Sequence, residues 1–150
     1  MKDTNGIEIK TGDIVEITGA YFKNDNGYWF VANSKGDPSW SGNDHSLRKI
    51  SKTGKISKSR GSVGFWPLFI TVNSWEKRAA AREWNEEHAR IKVIDGINKA
   101  EIAEYFKNKA DAAEAEAERL TWNFGEDCET VKLYKKIKNH YEDVIKRITA

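Results

Sequence analysis

"GDIVEITGAYFKNDNGYWFVAN", Gly12 to Asn33, is the stretch on which the fold turns. Within it, Ile14 and Glu16 alternate with Val15 and Ile17, the period-two pattern of a half-buried strand. "GYWFVAN" follows as a β-rich run, opened by Gly27 and closed by Asn33. Between the two, Asn24 to Gly27 ("NDNG") is turn chemistry, because Asn and Gly tolerate positive φ. Two strands joined by a short turn are predicted here, and the rest of the first half continues in kind. "SLRKI" predicts a third strand around Leu47 and Ile50, "TGK" a tight turn into "ISKS", and "LFITVNS" a further strand ending at Ser74. Short strands punctuated by Gly, Asn and Asp predict a small barrel or a strongly curled antiparallel sheet.

Beyond Ser74 the period changes. Ser74 is placed to cap a helix running from Trp75 to about Arg90, where Ala79, Ala80 and Ala81 favour helix. "RIKVIDG" reads either way, and one reading is a last strand returning to the sheet before Gly96. Ile102, Phe106, Ala110, Ala113, Ala117 and Leu120 then recur at spacings of four and three, an apolar helical stripe. "NFGED" interrupts it. A second stripe runs from Val131 through Tyr134, Ile137, Tyr141, Val144 and Ile148, so residues 97–150 predict an antiparallel helical hairpin. The expectation is therefore an α+β protein. Residues 1–96 form an SH3-like β domain with a packed helix at about 75–90, and 97–150 form the hairpin.

The run Gly12 to Val31 also resembles the KOW motif of SH3-like barrels. Gly12, Asp13, Val15, Ile17, Gly19, Phe22, Lys23 and Gly27 match that pattern in kind. Phe22 stands one place further from Gly19 than the pattern has it, and Asn24 replaces a second glycine. The resemblance implies a small barrel and, by analogy, contact with RNA or with ribosomal or transcription machinery. A looser similarity joins "GDPSWSGNDHSLRKI" and "GFWPLFITVNS" to small proteins of phages and mobile elements. That group includes anti-restriction and anti-CRISPR inhibitors.

Composition narrows the chemistry. The 150 residues carry a net charge of +2, with 39% hydrophobic and 32% charged residues, enough for one core. Cys128 is the only cysteine, which excludes an intramolecular disulfide and any CxxC metal site. His45, His88 and His140 fall in three separate elements without HExxH spacing, and GxSxG, P-loop and GxGxxG signatures are absent. No catalytic residue, metal ligand or cofactor is assigned, and a non-enzymatic role is expected. "MKDTNGIEIKTGDIVEI" lacks the apolar centre of a signal peptide and no run approaches a membrane span, so a cytoplasmic protein without membrane contact is expected.

The charge is unevenly placed. Residues 1–44 hold four lysines against seven acids, whereas 45–75 hold Arg48, Lys49, Lys52, Lys55, Lys58 and Arg60 and no acid. Ammonium groups scattered around a hairpin turn, among hydroxyls and backbone N–H groups, are phosphate-contacting chemistry. These six residues are the predicted nucleic-acid-binding set, with Trp40 and Trp66 as stacking or anchoring aromatics. Edge lysines also keep an exposed strand from pairing with other chains, which is the plainer reading. The first functional reading is thus binding of nucleic acid or a nucleoprotein through the basic hairpin. The second is inhibition of a bacterial defence nuclease. Such an inhibitor would present an acidic surface to a basic channel, and Glu114, Glu116 and Glu118 supply one. The hairpin stripes are a further candidate for homodimer formation.

Overall fold

The computed structural model describes residues 2–41, 45–58 and 75–150, with backbone alone at 75–78. Arg60, Trp66, the strand expected within "LFITVNS" and the Ser74 cap lie outside the described residues. The protein is α+β: β1 (Ile14–Thr18), β2 (Gly27–Asn33), β3 (Ser46–Ile50), α1 (Trp75–His88), β4 (Arg90–Val93), α2 (Ala100–Phe124) and α3 (Glu129–Thr149).

Among the described residues, four strands form one open antiparallel sheet in the order β3-β2-β1-β4. Ile14 stands opposite Phe30 and Val15 opposite Trp29, while Ile17 faces Ile91 on the other side. "RIKV" is therefore a strand, added to the free edge of β1 after α1. The outer edge of β4 is covered by the N-terminal turn, where the Val93 N–H donates to Asp3 Oδ2 at 2.9 Å and Thr4 N–H to the Ile91 carbonyl at 2.9 Å. That pairing removes an open strand edge.

Both faces of the sheet are apolar, where alternation alone predicts one. Val15, Ile17, Trp29, Val31, Leu47 and Ile91 build one cluster together with Ile9, Ala20 and Ala89. Ile14, Phe30, Ala32 and Ile50 point the other way and meet Ile102, Phe106, Ala110, Tyr141, Val144 and Ile148. Phe106 packs edge-on against Phe30, with ring centres 5.9 Å apart. Offset and edge-on ring pairs are the favoured aromatic geometry.

The helices α2 and α3 pack together as the antiparallel hairpin that the stripes predict, with Phe106 beside Tyr141 and Glu114 beside Lys138. Gly125, at φ +83°, ends α2. A left-handed residue at that point suits glycine. Helix α1 is docked on the turn after β1. Its buried Asn85 accepts a hydrogen bond from the Tyr21 N–H at 2.9 Å, and Trp84 Nε1 donates to the Gly19 carbonyl at 2.9 Å. Among the described residues, no helix is long and apolar enough to cross a membrane.

Candidate functional site

The basic stretch begins in β3 and turns at once. The Ser51 N–H donates to the Lys55 carbonyl at 2.8 Å, Gly54 N–H to the Ser51 carbonyl at 3.0 Å, and Lys55 N–H to Ser51 Oγ at 3.1 Å. A bridge between Ile50 and Ile56 closes the hairpin base. Gly54, at φ +87°, lies so close to the Asn98 carbonyl that a β-carbon would collide with it. The tip is thereby seated against the segment that starts α2.

Lys52 and Lys55 are exposed on this turn and Lys58 just past its closing bridge, and none of them pairs with a carboxylate among the described residues. Arg48 and Lys49 are placed differently. Lys49 Nζ donates to the Asn24 carbonyl at 2.8 Å and to the Asn26 carbonyl, and lies 4.8 Å from the Trp29 ring centre. It thus closes the short 3-10 turn Lys23–Asp25. The Arg48 guanidinium sits 5.3 Å from the Tyr105 ring centre, and Lys109 Nζ lies 5.5 Å from the same ring. The six-residue set accordingly divides. Three members face solvent, two brace the sheet, and Arg60 is outside the described residues.

The aromatic candidates divide as well. Trp40 is half-buried in the turn 37–40, whose N–H donates to the Asp37 carbonyl at 3.1 Å. Trp66 lies outside the described residues. Tyr105, which sequence reasoning passed over, is the ring beneath Arg48 and Lys109. Its position one residue before the buried Phe106 is the only trace of this in the sequence.

The acidic set is engaged within its own hairpin. Glu114 pairs with Lys138 at 2.9 Å across the two helices, Glu116 pairs with Arg119 one turn on, and Glu118 is exposed. The Arg119 hydrogen bond holds the Glu116 carboxyl below its ordinary range, and Glu114 in turn raises the Lys138 ammonium. Glu114–Lys138 is a rim pair between the two helices, and Glu116–Arg119 is an i,i+3 pair within α2.

A cleft of about 550 Å³ opens between the turns at 8–11 and 34–37 and the last part of α3. Asp37 sits in its wall. Its carboxylate accepts from Thr11 Oγ1 at 2.5 Å and from the Ser34 N–H at 2.9 Å, and it faces His140 Nε2 at 3.3 Å. Burial opposes its ionisation, but the facing His140 ring, with the Thr11 hydroxyl and the Ser34 N–H, holds it below the ordinary carboxylate value. Arg147 extends the same seam, reaching Asp13 at 2.8 Å and the Thr11 carbonyl. Thr11 donates to the carboxylate and His140 faces it from α3, so this seam holds α3 to the loops, and Thr11 and His140 are turned to Asp37 and not to each other. Among the described residues, no three His, Cys, Asp or Glu side chains converge in a way that could hold a metal ion.

Comparison with known proteins finds no matching family, no similar curated protein and no similar solved structure.

Proposed function

We propose that this chain is a non-catalytic binding protein that engages nucleic acid or a nucleoprotein through the hairpin after β3. One observation carries the reading: Lys52 and Lys55 are exposed on a single tight turn, Lys58 is exposed just past the Ile50–Ile56 bridge that closes it, and none of the three has a carboxylate partner among the described residues. Positive charge held in this way contacts a phosphate backbone without reading bases. Arg48 and Lys49 support the strands that present the turn, and they are not counted among its contacts. The inhibitor reading relies on the acidic helix. Two of its three glutamates already pair inside the hairpin, which favours the nucleic-acid reading over it.

The test is a salt titration of binding to a single-stranded oligonucleotide. Three contacts, each worth roughly 0.7 in the logarithmic salt slope, give a slope of about −2. Replacing Lys52, Lys55 and Lys58 together by Ala flattens the slope, and stability changes by less than about 0.5 kcal/mol per site. No binding at low salt, or binding indifferent to the triple replacement, assigns the lysines to edge protection and ends the proposal.

A further inference from the structure

The free end of the α2–α3 hairpin holds three large apolar side chains in water. Trp122 is 91% exposed, Phe124 69% and Leu133 44%. Trp122 lies two residues past Leu120, the last buried member of the α2 stripe, and so stands off the buried face of α2. Beside it a groove of about 350 Å³ runs between the helices, with Glu118 and Glu126 on one rim and Lys135 on the other. Large apolar side chains exposed near one end of a helical hairpin, with charged residues beside them, point to a contact surface.

The charges around the turn identify what fits. Glu126, Asp127 and Glu129 precede residue 130, Lys132, Lys135 and Lys136 follow it, and all six are exposed. Among the described residues, the one ion pair inside this group is Glu129–Lys132 at 3.6 Å. A two-fold axis near residue 130 lays the acidic block of one copy along the basic block of the other. The match occurs twice, because a two-fold contact is reciprocal. An anionic lipid surface or a nucleic acid would meet the three acids as well as the lysines, which disfavours both. The helical stripes themselves are already spent on the sheet and on each other.

We propose that the hairpin tip is a self-association surface. A second copy of this chain, related by a two-fold axis, covers Trp122, Phe124 and Leu133, and acidic and basic blocks pair reciprocally around them. This surface is separate from the basic hairpin, and neither proposal depends on the other.

Sedimentation equilibrium of the full chain at low salt, up to about 1 mM, is expected to show a monomer–dimer equilibrium. Trp122→Ala is expected to raise the dissociation constant at least about tenfold, as for an interface hot spot. Glu126→Lys with Asp127→Lys, and separately Lys132→Glu with Lys135→Glu, should each give monomers, and mixing these two variants should restore a heterodimer. All of these side chains are exposed, so helical circular dichroism stays unchanged and reports intact folding. Cys128 supplies an independent readout beside the proposed axis. Backbone N–H groups of Val131 and Thr130 lower its thiol pKa, so a short bismaleimide should link two copies in the parent chain and not in Trp122→Ala. A monomer throughout the concentration range overturns the proposal, as does a dimer unaffected by Trp122→Ala. A monomer that co-sediments with anionic vesicles through Trp122 also overturns it, and assigns the tip to lipid.

Discussion

Gly12 determines how closely α3 can lie on the start of β1. Its φ is +92°, and a β-carbon there would meet Ile148 Cγ2 at 2.8 Å and Val144 Cγ1 at 2.9 Å. Backbone strain and crowding therefore act together. Gly12→Ala is expected to cost about 2–4 kcal/mol, measured by urea unfolding. A loss below about 0.5 kcal/mol would mean that α3 docks elsewhere. The neighbouring Asp13–Arg147 pair lies in the same contact, so the Gly-Asp start of the strand is where the last helix is received. At this scale residue type was a poor guide to role. Six basic residues stand together in sequence, but Lys49 is drawn under the 3-10 turn and Arg48 onto Tyr105. Alternation along β3 sends these two neighbours to opposite faces, and what each face holds comes from segments far away in sequence.

At the scale of elements the period of the pattern was the reliable signal. Every α2 residue in the predicted stripe, from Ile102 to Leu120, is buried. In α3, Val131, Tyr141, Val144 and Ile148 are buried, whereas Tyr134 and Ile137 are half-buried. Tyr141, Val144 and Ile148, in the far half of α3, belong to the cluster that includes the sheet, and Ile137 lies at its margin. Phe106→Ala is accordingly expected to cost about 3–5 kcal/mol, for a fully buried ring. Ile137→Ala should cost less, about 1–2 kcal/mol, in proportion to the area it hides. Lys136→Ala should stay within about 0.5 kcal/mol. Chemical denaturation of the three variants checks this order, and equal small losses would mean that the hairpin is not part of the folded core.

For the whole molecule, the question is whether residues 1–96 and 97–150 are separable. The cluster that joins them contains Ile14, Phe30, Ala32 and Ile50 from the sheet and Ile102, Phe106, Tyr141, Val144 and Ile148 from the hairpin. A chain cut after Gly96 would bare Phe30 and Ile14, which are 0% and 1% exposed in the whole protein. Such a fragment is expected to bind a hydrophobic dye and to lose cooperative thermal unfolding. A cooperative transition with a β-type circular dichroism spectrum would show instead that the first cluster, around Val15, Ile17 and Trp29, holds the sheet alone.

The sequence by itself determined the class of this protein and the positions of most of its described elements. Periodicity is a local property, written in residues two, three or four apart, and it places β1, β2, β3, α2 and α3 without any tertiary information. The tertiary structure decided which faces those elements share. Only it could add β4 beside β1, bury both sides of the sheet, and clamp Asp37 between Thr11 and His140 from opposite ends of the chain. It also separated three solvent-facing lysines from two structural cations within one acid-free stretch. The physical reason is common to all of these: burial and charge pairing depend on neighbours in space, and no window of sequence contains them.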